Sequence, residues 1–221
     1  MMKDELLGAL PVAEPASAEK IVNFPCGWTL KQAKTGAWTG EVTGAGGQAL
    51  HSRYDPQKEG QRFAQSLLQE MEASQKQVPV FMGFGLGYGL VSLSEIMLAA
   101  QAGQQIKTGL GKNSFAGIVL VEPHVACFAA ALWSLDFEPV FALEKCALLV
   151  GASHQSVLGV LESFGLEKCH CIWNKAHTSH NQQYFDGLHT LIQRNRDKDA
   201  INNRTLEKFG QLWLRNSCRN L

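Results

Sequence analysis

The chain has 221 residues, of which 45% are hydrophobic and 18% are charged, a composition typical of a globular protein and not of a disordered one. Twenty basic and twenty acidic side chains give a net charge of zero, so no overall positive field favours nucleic acid or an anionic membrane surface. The most apolar stretch, residues 116–135, contains Glu122, Pro123 and His124, which excludes a membrane-spanning helix there. The six cysteines are scattered without a disulfide framework, so we expect a reducing, cytoplasmic location.

Residues 1–50 predict an N-terminal arm followed by a small β-rich flap. The arm, residues 1–20, is rich in alanine, proline and glutamate. Residues 21–49 hold short apolar pieces separated by glycines, a pattern typical of small strands and hairpins.

A helix is predicted to begin at Asp55 and Pro56, because aspartate is a favoured N-cap and proline a favoured first helical residue. Its entrance is rich in polar side chains, including His51, Arg53 and Tyr54. Two interpretations stay open for this cluster. Arg53, Tyr54 and Asp55 face a ligand, or the segment is a capping turn that fixes the flap against the core.

The centre of the predicted fold is residues 78–89, an apolar strand that runs into glycines 83, 85, 87 and 89. Strand, tight turn and helix follow from this pattern, and glycine allows a positive φ and a close approach of an anionic or ribose-bearing ligand to the helix N-terminus. The spacing is not the G-x-G-x-x-G of dinucleotide-binding sheets and is closer to the loop of S-adenosylmethionine-binding sheets. The alternative is that the glycines only let the helix pack tightly on the strand.

A second buried strand, residues 117–122, ends on Glu122. In nucleotide-binding sheets an acid at this position accepts hydrogen bonds from ribose hydroxyls. The alternative is an acid that interacts with the dipole of the helix beginning at Pro123. The predicted binding residues for a nucleotide or an S-adenosylmethionine-like ligand are Gly83, Gly85, Gly87, Tyr88 and Glu122.

Two further apolar runs, residues 147–151 and 170–174, alternate with predicted helices at 125–135 and 155–164. This alternation of predicted strands and helices favours βαβ units. We therefore predict an α/β, Rossmann-like and methyltransferase-like fold over residues 51–180, with a mainly parallel sheet flanked by helices. Residues 181–221 predict C-terminal helices with a charged break at 194–199. We expect the apolar stripe of the last helix to meet a following domain or a second copy of the chain; its members are Leu206, Phe209, Trp213 and Leu214.

Tests for catalytic and metal motifs give no catalytic residue and no metal site. The G-x-S-x-G elbow and the P-loop are both absent. Cys169, His170 and Cys171, followed by His177 and His180, form a metal-like cluster, but their separations differ from those of zinc sites. Loop histidines are the simpler interpretation.

An ordered set of motifs resembles the N-terminal half of the motility associated factor (Maf) family. The motifs are L-H-S-R-Y-D-P-x-x-E at 50–59, G-F-G-L-G-Y at 83–88, V-E-P at 121–123 and N-R-T at 203–205, followed by spaced Phe, Trp and Asn residues up to Asn220 and Leu221. The family comprises flagellin glycosyltransferases that carry a domain of unknown function, DUF115, also found in archaeal pterin pyrophosphokinase-like proteins. The similarity covers about residues 45–221.

The resemblance implies a bacterial, cytoplasmic protein that helps to transfer nonulosonic acid from a CMP-activated donor to flagellin. It implies that transfer occurs in a following glycosyltransferase domain, so no catalytic residue is carried over to this chain. The expected role is an accessory domain that holds the glycosyltransferase domain and flagellin. A rival hypothesis is an S-adenosylmethionine-dependent methyltransferase, and a third is an interaction domain whose glycine loop is empty.

Overall fold

The structure, a computed structural model, describes residues 21–42, 48–103 and 115–219, without the side chains of residues 199, 203, 206 and 210–219. The predicted arm at 1–20 lies outside the described residues. So do the side chains of Leu206, Trp213 and Leu214 in the predicted apolar stripe.

A four-stranded parallel sheet forms the centre of the molecule and confirms the predicted α/β, Rossmann-like fold. Its strands are β4 (Val78–Met82), β5 (Ile118–Glu122), β6 (Cys146–Val150) and β7 (Cys169–Trp173). Their order across the sheet is β6-β5-β4-β7, so the last strand in sequence lies beside the first. The chain therefore adds β5 and β6 on one side of β4 and then crosses to add β7 on the other side. The position between β4 and β7 is called the topological switch point, and sheets of this kind bind ligands there, at the carboxyl ends of the strands.

Helices cover both faces of the sheet. They are α1 (Pro56–Ala73), α2 (Tyr88–Gln101), α3 (Val125–Ser134), α4 (Glu138–Phe141), α5 (His154–Phe164), α6 (Lys175–His180) and α7 (Gln182–Arg219), and a 3₁₀ turn spans Leu166–Lys168. Alternate strand residues serve the two faces: Phe81 and Leu120 pack towards α1 and α2, whereas Val80 packs towards α5 and α7. Both faces are thus buried, as is usual for a parallel sheet. Among the helices within the described ranges, none combines the length and apolar character needed to span a bilayer.

Helix α1 begins as predicted, because the Asp55 carboxylate accepts a hydrogen bond from the Lys58 N–H at 2.9 Å. The predicted break at 194–199 is wrong, since α7 continues through it. That segment contains neither glycine nor proline, and its arginines and lysine are good helix formers. The Gln193 side-chain amide also donates to Asp197 one turn later, at 2.9 Å.

The flap is an antiparallel sheet of β1 (Val22–Phe24), β2 (Trp28–Gln32) and β3 (Trp38–Val42), with β2 in the middle. Trp28 is fully buried in a cluster that includes Leu86 of the glycine loop and Cys127 of α3. The flap therefore packs directly against the segment that follows β4, and its core continues into the core of the domain.

Two glycines give a matched test of helix packing. A Cβ added at Gly60 in α1 would lie 2.6 Å from the Tyr88 carbonyl carbon, whereas one at Gly159 in α5 has no atom within 4 Å. We expect Gly60→Ala to lower the free energy of unfolding by about 1–3 kcal/mol through overpacking. Gly159→Ala is expected to raise it by about 0.4–1 kcal/mol by restricting the unfolded chain. Urea unfolding measures both, and equal effects would contradict the close crossing of α1 and α2.

Candidate functional site

The glycine loop joins β4 to α2 and adopts a left-handed backbone. Gly83 has a φ of 68° and Gly85 a φ of 61°, which side chains with a Cβ rarely adopt. The Gly83 N–H donates to the Val121 carbonyl at 2.9 Å, and the Gly87 N–H donates to the Phe84 carbonyl at 3.0 Å. The loop is therefore tied to β5 and closed on itself.

Two histidine rings fill the space that the glycines leave open. The Leu86 N–H donates to Nε2 of His51 at 2.9 Å, and the Gly85 N–H donates to Nδ1 of His177 at 3.3 Å. A Cβ at Gly85 would lie 2.7 Å from the His51 ring, and one at Gly83 would lie 2.7 Å from the His177 ring. The loop amides were predicted to face a ligand. Those of Gly85 and Leu86 instead donate hydrogen bonds to histidine side chains of the protein.

Glu122 is fully buried at the end of β5. Its Oε1 accepts the His124 N–H at 2.9 Å, and its Oε2 lies 2.9 Å from Nε2 of His177, which is also fully buried. The ring N–H direction at Nε2 is not aligned on Oε2, so this close pair lacks a linear hydrogen bond. Ribose binding by Glu122 stays a prediction, and it requires His177 to move away.

His51 links the glycine loop to α1. Because Nε2 accepts a hydrogen bond, the ring proton is on Nδ1, which lies 3.7 Å from Oε2 of Glu59. The same carboxylate oxygen accepts the Ser52 N–H at 2.7 Å. His51 first, and then the Ser52 N–H, lower the pKa of Glu59, although burial opposes them. The arrangement orients the His51 ring and holds it against the loop.

The other polar residues at the helix entrance have partners on the flap or in α1. The Arg53 guanidinium donates to Glu41 at 2.6 Å, Lys34 lies over the Tyr54 ring at 4.4 Å from its centre, and Asp55 caps α1. These contacts are those of a capping turn that joins the flap to α1. A ligand-facing role for Arg53, Tyr54 and Asp55 stays a prediction.

The last two predicted binding residues are packed against protein atoms. The Tyr88 hydroxyl donates to the Trp38 carbonyl on the flap at 2.6 Å, and burial raises the pKa of Tyr88 to about 12. A Cβ at Gly87 would lie 2.5 Å from the Phe137 ring. Both residues thus hold neighbouring elements close to the loop.

A cavity of about 280 Å³ lies at the switch point, beside the carboxyl ends of β4 and β7. We call it the switch-point pocket. Aromatic rings form much of its wall, with polar groups from His51, Glu59, Asn174 and Lys175 and backbone from the glycine loop and the start of α2. Its aromatic members are Phe63, Phe81, Phe84 and Trp173.

The pocket combines flat apolar walls with an exposed cation. Aromatic side chains stack on planar ligand rings, and Lys175, the first residue of α6, supplies a positive charge. Gly89, near the N-terminus of α2, also lines the pocket, and the first amides of a helix favour an anion. A planar, anionic small molecule suits these features.

A protein of Treponema pallidum (strain Nichols), described only as uncharacterized, is 28% identical to the chain over 177 residues. The alignment covers 79% of this chain and 54% of that protein, so the chain spans about half the length of the relative. No protein-family model matches the chain, and no solved structure matches it. The similarity to this relative assigns no activity to the chain, so the functional proposal is argued from the geometry of the candidate site.

Of the predicted binding residues, Gly83 lines the switch-point pocket, whereas Glu122 is enclosed by His124 and His177. Sequence reasoning missed Phe63, Asn174 and Lys175 as site residues. The position of Asn174 and Lys175 directly after a predicted strand was an available signal, because parallel strands bring their carboxyl ends to one edge of the sheet.

Proposed function

We propose that this chain is a nucleotide-binding, noncatalytic domain of a glycosyltransferase of the motility associated factor type. In this proposal it works in the cytoplasm, recognises a nucleotide or nucleotide-activated sugar, and holds it for a following domain that transfers nonulosonic acid to flagellin. The donor-binding role extends the accessory role that the resemblance implies.

The convergence of the resembling motifs on one site carries the proposal. His51 and Glu59 belong to the first motif and Gly83 and Phe84 to the second, and all four line the switch-point pocket. The third motif contributes Glu122, which contacts His177 behind the glycine loop. Motifs that are far apart in sequence thus meet at the edge of the sheet where Rossmann-like domains bind ligands.

The chemistry of the pocket supports a nucleotide rather than a purely apolar ligand. Phe63 and Trp173 offer surfaces for a base, and Asn174 offers an amide that can pair with its polar edge. Lys175 supplies the charge that a phosphate requires. A binding role of this kind does not require a general acid, a general base or a nucleophile in the pocket.

The methyltransferase hypothesis is less well supported. Such an enzyme would use the loop amides and Glu122 for its adenosyl ligand. Here the Gly85 amide donates to His177, and Glu122 lies against the same ring. Binding an adenosyl group in that place therefore requires the displacement of a fully buried histidine.

Ligand binding is tested by isothermal titration of the 221-residue chain with CMP, CMP-sialic acid, S-adenosylmethionine and NAD. We expect binding of a cytidine nucleotide. Lys175→Ala is expected to weaken it roughly tenfold or more, since hydrogen bonds to charged groups contribute about 1.5–3 kcal/mol.

Lys168→Ala is the matched control, because Lys168 is an exposed lysine at the opposite end of β7. It is expected to leave the affinity unchanged. Tight binding of S-adenosylmethionine alone would favour the methyltransferase, and binding of none of the four compounds would contradict a nucleotide site. Equal losses in both lysine variants would place binding outside the switch-point pocket.

The glycosyltransferase part of the proposal has a separate test. The full-length protein, wild type or Lys175→Ala, is co-expressed with flagellin and the enzymes that supply CMP-activated nonulosonic acid. Intact-mass measurement should detect sugar on flagellin with the wild type and less with the variant. Unmodified flagellin with the wild type would reject this part even if cytidine nucleotides bind.

A further inference from the structure

A second cluster of chemically reactive side chains lies behind the glycine loop, and its members are not among the residues that line the switch-point pocket. Glu122 at the end of β5, Cys127 in α3 and His177 in α6 are all fully buried. Their ligand atoms lie within 4.8 Å of one another. Three different elements thus direct a carboxylate oxygen, a thiol and an imidazole nitrogen towards one point.

A second cysteine lies near this cluster, on the flap. Cys26 lies in the turn between β1 and β2 and packs against the buried residues that include Cys127. The turn is held in place because the Cys26 carbonyl lies 2.7 Å from Nε2 of His180, in the same helix as His177. Cys26 is not one of the three residues whose ligand atoms lie within 4.8 Å of one another, so its sulfur must move towards them to serve as a fourth ligand.

Two buried atoms of the cluster face each other without a well-aligned hydrogen bond. Oε2 of Glu122 and Nε2 of His177 lie 2.9 Å apart, and neither has another hydrogen-bond partner among the described residues. Buried polar atoms nearly always have a partner, and an exception calls for an explanation such as a missing ion. A cation between these two atoms and the thiols would complete their coordination.

We propose that Cys26, Cys127, His177 and Glu122 bind a structural zinc ion. Two thiolates, an imidazole and a carboxylate suit zinc better than the hard cations magnesium and calcium, which prefer oxygen ligands. Four protein ligands fill a tetrahedron and leave no open position for catalysis. The ion would join the flap, α3, α6 and the end of β5 at one point.

Neighbouring groups already orient the ligands. The His124 N–H holds Oε1 of Glu122 at 2.9 Å, which leaves Oε2 for the ion, as expected of a supporting contact around a metal. Coordination through Nε2 of His177 puts the ring proton on Nδ1. The long 3.3 Å contact from the Gly85 N–H must then open, so the amide of Gly85 is expected to change environment when zinc binds.

The test begins with the metal content of the chain purified without chelators and in a phosphine reductant. We expect about one zinc ion per chain. Replacement by cobalt should give the intense thiolate charge-transfer absorption of a cysteine-bound ion. The Gly85 amide resonance should shift between the metal-free and zinc-loaded protein.

Cys127→Ser and Cys26→Ser are each expected to lose the zinc and the cobalt absorption, and Cys26 is only half-buried, so its variant is the less disruptive of the two. Cys146→Ser, in β6, is the control and should retain both. A folded wild-type chain that neither contains zinc nor gives the cobalt absorption would overturn the proposal. So would zinc that survives both serine variants.

Discussion

His177→Ala is expected to lower the free energy of unfolding by about 3–5 kcal/mol, the range found when the loss of one partner leaves a buried charge uncompensated. The side chains of His177 and Glu122 are both fully buried, with 2.9 Å between Nε2 and Oε2. Without the imidazole, the hydrogen-bond partner left to the carboxylate among the described residues is the His124 N–H. The Gly85 N–H loses its acceptor as well.

A double-mutant cycle distinguishes the interaction energy between His177 and Glu122 from the energy lost through poorer packing. The single variants His177→Leu and Glu122→Leu are compared with the double variant by urea unfolding in EDTA, so that metal binding does not contribute. We expect the double variant to be more stable than the two single losses together predict, because an apolar pair avoids the burial of a lone charge. Additive losses would contradict an energetically coupled pair.

His180→Ala is the matched control for His177→Ala. It removes a half-buried histidine from the same helix and one contact to the Cys26 carbonyl. Its expected cost is about 1 kcal/mol, the net contribution of a typical hydrogen bond. A His177→Ala loss no larger than this would show that the buried pair contributes little to stability.

Trp28→Ala should destabilise the protein by about 3–5 kcal/mol, the usual cost of deleting a large buried aromatic side chain. Trp28 is fully buried between the flap and the glycine loop. Its ring meets that of His177 edge to face, with centroids 5.0 Å apart. The alanine variant leaves a cavity where the flap, the loop and α6 meet.

Trp133→Ala provides the comparison, because Trp133 is 39% exposed and packs against Phe24 and Trp38 at the flap surface. It should cost clearly less than Trp28→Ala. Thermal unfolding gives the relative stabilities, and limited proteolysis reports whether the flap detaches. Rapid cleavage of β1–β3 in Trp28→Ala with an unchanged melting temperature would mean that the sheet keeps its stability without the flap.

The sequence predicted the elements of this fold better than their arrangement. Apolar runs located all four strands of the parallel sheet, and Asp55 located the start of α1. The break in α7 was wrongly predicted because charge was weighed above the helix propensity of Arg194 to Asp199. The position of β7 beside β4 depends on long-range pairing, which periodicity along the chain does not contain.

The candidate sites were harder to predict for the same reason. The glycines were recognised, but the rings that occupy their space come from His51 and His177, on opposite sides of the loop in sequence. Cys26 and Cys127 belong to one packed cluster because the flap folds back onto α3. Spacing rules for metal sites detect ligands that share one turn or hairpin, whereas the four residues proposed as zinc ligands extend from Cys26 to His177 in sequence.

The pairing of β4 with β7 also determines when the sheet can be completed during synthesis on the ribosome. Val78 pairs with Cys169, so the central strand keeps one open edge until the ribosome has delivered the chain beyond β7. Open strand edges promote aggregation during synthesis, and α6, with His177, emerges later still. The pocket and the cluster behind the loop consequently cannot assemble until α6 has emerged, and a nascent chain that ends before α6 has neither.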